Sequence, residues 1–123
     1  MHVLVVDDDP AVLEFLEEAI AAGGHEVDTA ANFAEARQFL AERPDALVVD
    51  VRLGEFNGLQ LAIFARQSNE SIRIIVMSGV DDPVIRREAA ACGAAFVTKP
   101  IQRDALLRAL TEESPRQTSD GSL

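Results

Sequence analysis

A single cysteine, Cys92, stands among 123 residues, so no internal disulfide can form. No apolar run approaches the roughly 20 residues of a membrane span, and Asp7 falls where a signal peptide would still need apolar residues. Both absences point to a cytoplasmic chain that does not enter a membrane. Positive charge is scarce too. Eleven basic residues face 21 acidic ones, for a formal charge of −10, and a surface of that sign repels phosphate backbones, so direct nucleic-acid binding is not expected. Internal repeats are lacking, and lysine occurs once, at Lys99, in a chain whose other ten basic residues are arginine.

What is present fits one ordinary domain. Hydrophobic residues make up 48% and charged residues 26% of the chain, enough apolar content to offset chain entropy in a soluble core. Short apolar runs alternate with amphipathic stretches five times. The expected strands are Val3 to Val6, Glu26 to Ala30, Ala46 to Val49, Ile72 to Met77 and Ala95 to Thr98. Three of these are apolar almost throughout, as strands covered on both faces should be. Val12, Phe15, Leu16, Ala19 and Ile20 form a helical stripe that ends before Gly23-Gly24. Phe33, Ala36 and Leu40 mark a second helix, Asn57-Gly58 opens a third, and Asp82-Pro83 supplies a cap and first residue for a fourth. Leu106, Leu107 and Leu110 give the inner face of a fifth. Residues 1–112 are read as the domain, and 113–123, rich in Ser, Thr, Pro and Gly, as a flexible polar tail.

Five successive β-α units imply an α/β fold, a doubly wound five-stranded parallel sheet with right-handed crossovers. The order 2-1-3-4-5 puts its reversal between the first and third strands, and ligands bind at the carboxyl ends of the strands beside that reversal. The residues there are Asp7 and Asp8 after the first strand, Asp50 after the third, Ser78 after the fourth and Lys99 after the fifth. Each has an ordinary reading. Asp9 serves as a helix cap with Pro10 behind it, Asp50 and Ser78 suit turns, and Lys99 could be one exposed cation among many. Their arrival together at one rim is a much rarer coincidence. Two carboxylates about 4 Å apart repel by about 4 kcal/mol at an effective dielectric of about 20, so the acidic cluster calls for a cation, and oxygen-only donors suit Mg²⁺. A compact ammonium at Lys99 differs from the arginine fork used everywhere else where one point charge must reach phosphate or carboxylate.

The blocks VLVVDDDP, ALVVDVRLGEFNGL, IIVMSG and AAFVTKP resemble, in order, the four signature blocks of bacterial two-component response-regulator receiver domains of the CheY-like, single-domain type. The match covers about residues 2 to 110. The resemblance implies that Asp50 accepts a phosphoryl group and that Asp7, Asp8, Asp50 and the Arg52 carbonyl hold Mg²⁺. It further implies that Ser78 and Lys99 contact the phosphoryl oxygens, that Phe96 is the aromatic switch residue, and that the Lys99-Pro100 peptide is cis. The switched surface would be that of the fourth helix, fifth strand and fifth helix. The donor would be a sensor histidine kinase or histidine phosphotransfer protein, and the output a downstream protein target. The chain would be no enzyme beyond self-catalysed phosphorylation and dephosphorylation. Gly54 stands where the family often has proline, which would loosen the loop after Asp50. One alternative is a Mg²⁺-dependent aspartate-nucleophile phosphohydrolase, opposed by Arg52 in the place of the second acid of haloacid-dehalogenase-like enzymes. The other is a phosphorylation-independent interaction module, opposed by the complete set of site residues.

Overall fold

The computed structural model describes residues 1–112. Its elements run β1 (His2–Val6), α1 (Pro10–Ala22), β2 (Glu26–Ala30), α2 (Phe33–Leu40), β3 (Ala46–Asp50), β4 (Arg52–Leu53), β5 (Phe56–Asn57), α3 (Gly58–Ser68), β6 (Arg73–Ser78), α4 (Pro83–Ala91), β7 (Ala95–Thr98) and α5 (Arg103–Thr111). The tail expected at 113–123 lies outside the described residues. Among these residues no helix is long and apolar enough to cross a membrane.

Five strands form one parallel sheet in the order β2-β1-β3-β6-β7, the expected order 2-1-3-4-5 with the short β4 and β5 left out of the count. The three central strands β1, β3 and β6 are buried almost throughout, while β2 and β7 at the edges are only partly covered. Side chains alternate across the pleat and divide the core in two. Leu4, Val6, Leu47, Val49, Ile74 and Val76 face α2, α3 and α4. Val3, Val5, Ala46, Val48, Ile75 and Met77 face Leu16 and Ile20 of α1 and Leu106 and Leu110 of α5. Because both faces are covered, the sheet rim at the strand carboxyl ends is where polar groups can gather.

The helix starts are set by caps. Asp9 accepts a hydrogen bond from the Ala11 amide at 3.0 Å, Asn57 from Leu59 at 2.8 Å and Asp82 from Val84 at 2.8 Å, each satisfying an amide that the first helical turn leaves without a partner. The apolar stripe expected on the first helix needs one correction. Leu16, Ala19 and Ile20 are buried, but Phe15 is 44% exposed. It sits on the edge of the stripe and turns towards the rim, where with Ala11, Val12, Gly79, Lys99, Pro100 and Ile101 it lines an apolar groove of about 590 Å³. At the opposite end of the sheet, Arg66 donates to the carbonyls of Glu70 (2.7 Å), Ile72 (2.6 Å), Cys92 (3.1 Å) and Gly93 (3.3 Å), tying the end of α3 to the end of α4.

A small antiparallel pair, β4 with β5, was not expected from the sequence. Two-residue strands have no period to read. Its turn contains Gly54 at φ +60°, a conformation closed to proline, and the Gly54 amide donates to Asp8 Oδ2 at 3.2 Å, a bond proline could not make. Glycine at this position thus lets the loop amide tie back to the acidic cluster. Phe56 of β5 packs on Phe33 of α2, ring centroids 5.0 Å apart.

Candidate functional site

Asp50 is the last residue of β3, flanked in the sheet by β1 and β6. Its side chain is nearly closed off, the residue being 6% exposed. Lys99, just past the end of β7, brings its Nζ to 3.1 Å from Asp50 Oδ2 and 2.9 Å from Asp7 Oδ2. The Lys99-Pro100 peptide is cis, as expected. The remaining oxygens take backbone donors: the Asp9 amide reaches Asp7 Oδ1 at 2.9 Å and the Arg52 amide reaches Asp50 Oδ1 at 3.3 Å. Asp7 is fully buried and Asp8 exposed, so the cluster has a closed floor and one open side.

These contacts move two proton equilibria. Burial pushes the Asp50 carboxyl above the usual carboxylate range; the Lys99 hydrogen bond pulls the other way, and the charge of Asp7 adds to the rise. For Lys99, partial burial works against the charge, but the hydrogen bonds it donates to Asp7 and Asp50 prevail and hold its pKa above that of ordinary lysine. The ammonium is therefore a fixed positive charge at neutral pH.

Asp7, Asp8 and Asp50 each present a carboxylate oxygen, all within 4.8 Å of one another. Hard oxygen donors with one side open to water fit Mg²⁺ or another hard divalent cation. Lys99 already neutralises part of the cluster, so the repulsion reasoned from sequence is smaller than three uncompensated acids would give. Three carboxylates against one ammonium still leave an excess of two negative charges.

The other expected residues are placed as follows. Ser78 ends β6 and is 4% exposed. Its hydroxyl donates to the Val80 carbonyl at 2.8 Å and accepts from the Val80 amide at 3.1 Å, the local turn bonding that its type allows. It stays close to the lysine through the backbone, the Lys99 amide donating to the Ser78 carbonyl at 2.8 Å. Arg52 starts β4 with an exposed side chain and touches Asp50 through its amide. Phe96 lies on β7 opposite Val76, partly buried against the α3–α4 side of the core, with the Arg86 guanidinium 4.5 Å from its ring centroid. Neither Arg86 nor its partner Asp81 was singled out from the sequence; both look like ordinary charges on a solvated helix end.

Three acids and one lysine thus meet at the carboxyl ends of β1, β3 and β7 of a doubly wound sheet. The family model described as the response regulator receiver domain matches residues 3–111, and the chain belongs to that family. Response regulator MprA of Mycobacterium avium is 35% identical over 109 residues, covering 87% of this chain and 48% of the relative. Transcriptional regulatory protein GlrR of Escherichia coli is 30% identical over 115 residues, covering 90% of this chain and 26% of the relative. This chain thus spans half or less of these relatives. Among solved structures, a response regulator from Burkholderia pseudomallei with a phosphorylated aspartic acid, calcium ion and citrate superposes with TM-score 0.85 at 26% identity, over 98% of this chain and 72% of that one. A CheY-like receiver domain protein from Methanospirillum hungatei superposes with TM-score 0.81 at 26% identity, over 98% of each.

Proposed function

We propose that residues 1–112 are a receiver domain whose Asp50 takes a phosphoryl group from the phosphohistidine of a sensor histidine kinase or histidine phosphotransfer protein. The face of α4, β7 and α5 then passes the new state to a downstream protein. The observation that carries this reading is the nearly buried Asp50 carboxylate with the Lys99 ammonium at 3.1 Å and the Asp7 and Asp8 carboxylates beside it. The Burkholderia relative, which carries a phosphorylated aspartic acid and a calcium ion, supports the same chemistry here.

In the proposed reaction a carboxylate oxygen of Asp50 attacks phosphorus in line. The P–N bond to the donor imidazole breaks, the nitrogen keeps the electron pair and takes up a proton, and an acyl phosphate forms on Asp50. The protein's part is positioning and charge neutralisation. Lys99, held in place by Asp7, faces the oxygens that gain charge, and the Ser78 hydroxyl exchanges its Val80 bonds for a phosphoryl oxygen. A Mg²⁺ ion held by Asp7, Asp8, Asp50 and the Arg52 carbonyl would supply further neutralisation of that charge. Apart from this self-catalysed gain and loss of phosphate the domain has no enzymatic role, and neither nucleic acid nor membrane is a direct partner in the cytoplasm. The test is retention of label from acetyl phosphate on Asp50 in the presence of Mg²⁺, in a form released by hydroxylamine as an acyl phosphate must be. No retained label overturns the reading.

Mg²⁺ should raise the melting midpoint by mass action, since it binds the folded acid cluster and not the unfolded chain. At 100 times its dissociation constant the gain is about 2.7 kcal/mol. Asp8→Ala removes a carboxylate from the open side without touching the Lys99 bonds, and should abolish most of that shift in thermal melts. An equal shift in the variant would place the metal elsewhere.

The groove beside Lys99, with exposed Phe15 on its wall, suits the apolar face of the donor's phosphohistidine-bearing helix, because a helix seated there stands next to the acceptor rim. Phe15→Glu should slow transfer from the phosphorylated protein donor by about tenfold or more, the equivalent of about 1.4 kcal/mol of lost apolar burial. Phosphorylation by acetyl phosphate should be unchanged. Equal loss with both donors would mean that Phe15 acts on the site and not on docking.

A further inference from the structure

We propose that Arg86 is a positioning residue that latches the ring of Phe96 and releases it when the Ser78 loop moves. The inference rests on the receiver reading of Asp50 and adds a mechanical link to it. Phe96 carries no hydroxyl, so no hydrogen bond can set its ring position; packing and whatever lies over the ring face must do so. What lies there is the Arg86 guanidinium, 4.5 Å from the centroid. The edge of the same planar group is held by Asp81, Nη2 reaching Oδ2 at 3.2 Å and Nε reaching Oδ1. A guanidinium can stack and fork at once, which an ammonium cannot. Arg86 therefore ties α4, the β6–α4 loop and β7 together through one side chain.

The link back to the site consists of contacts in the structure. Ser78 bonds Val80 twice, through its carbonyl and its amide. Asp81 is the next residue, its carboxylate gripped by Arg86, whose face covers Phe96. When the Ser78 hydroxyl turns to a phosphoryl oxygen, both Val80 bonds are lost and the loop carrying Asp81 is free to shift. The guanidinium edge then loses its anchor, and the ring loses the cation that held it. An exposed ion pair contributes little to stability by itself; here it defines which way a ring faces.

The test uses the full chain with ¹³C-labelled phenylalanine, Phe96 being assigned among the six phenylalanines by a Phe96→Leu spectrum. In the unphosphorylated protein, Arg86→Gln should move the Phe96 ring signals towards their positions in the phosphorylated wild type. The expected change in the balance between the two ring settings is about two- to fivefold, the size of one exposed cation–π contact. Asp81→Asn should move them the same way by less, and Arg86→Lys, which keeps the charge but not the fork, should fall between wild type and Arg86→Gln. The rate of phosphorylation by acetyl phosphate should not change. Ring signals that stay at wild-type positions, or that move away from the phosphorylated ones, or that respond equally to Arg87→Gln on the same helix, overturn the latch. If wild-type Asp50 takes no phosphoryl group, the receiver reading fails instead; the latch is then judged on whether the unphosphorylated ring leaves its position in Arg86→Gln and Asp81→Asn.

Discussion

Replacing Asp50 with asparagine is expected to bring hydroxylamine-sensitive phosphoryl label down to background while leaving the fold intact. The amide matches the carboxylate in size and keeps an oxygen for Lys99 Nζ, 3.1 Å away in the native protein, but it has no anionic oxygen to attack phosphorus. The same variant should be more stable than the wild type at neutral pH in the absence of metal. Burial, reinforced by Asp7, raises the Asp50 pKa on folding, and Lys99 only partly offsets this. A carboxyl whose folded pKa lies above its unfolded value contributes stability that is fully present below the unfolded pKa and lost as pH rises through the folded one. At neutral pH the wild type has lost it, whereas asparagine has no charge to desolvate. The advantage of Asp50→Asn in thermal melts should therefore shrink as pH falls into the carboxylate range. Label retained at wild-type level on the variant would sink the assignment of Asp50; an advantage that grew towards low pH would sink the electrostatic account and leave the chemistry standing.

Gly58→Ala is expected to destabilise the domain by about 3 kcal/mol or more, the top of the usual overpacking range, lowering the melting midpoint by roughly 10 °C. A Cβ at Gly58 would fall 1.9 Å from the Asp50 carbonyl oxygen and 2.8 Å from its carbonyl carbon. Both are backbone atoms of a central strand and cannot swing aside. The Gly58 amide also donates to the Val51 carbonyl at 2.6 Å, so α3 starts in direct contact with the loop leaving Asp50. Backing the helix away would move Asp50 itself, and phosphorylation should slow along with the loss of stability. Gly23→Ala is the matched control. There the closest approach, 2.8 Å, is to Leu107 Cδ2, the far end of a side chain, and the nearest backbone atom, Ile20 O, stands off at 3.3 Å, so the cost should stay at the low end of the overpacking range, about 1 kcal/mol. Equal costs at the two glycines, read by denaturant titration, would show that close approach to the β3 backbone is not what position 58 requires.

Much of this was legible before any coordinates. Period and burial follow directly from apolar runs such as LVVD and IIVM, because a strand covered on both faces has no polar positions to spare. The caps Asp9, Asn57 and Asp82 announce helix starts through local chemistry alone. The strand ends, read with the reversal rule for doubly wound sheets, already bring Asp7, Asp8, Asp50, Ser78 and Lys99 to one rim. All of these signals are local, or depend on topology that local signals determine.

Tertiary placement decided the rest. Whether an acid cluster is held by an outside cation or by the protein's own ammonium depends on the reach of one side chain: the Lys99 Nζ lies 2.9 Å from Asp7, across 92 residues of sequence. The β4–β5 pair and the Gly54 bond to Asp8 come from two-residue segments that carry no period. Phe15 fits a helical stripe by spacing and yet faces the rim, because the width of the buried stripe is set by what packs against α1. Arg86 and Phe96 are ten residues apart on different elements, and nothing in either residue's local sequence marks the contact. Residue type and spacing alone determined the five strands of the main sheet, the five helices and the rim they share; which side chains meet there was decided only when the helices closed over both faces of the sheet.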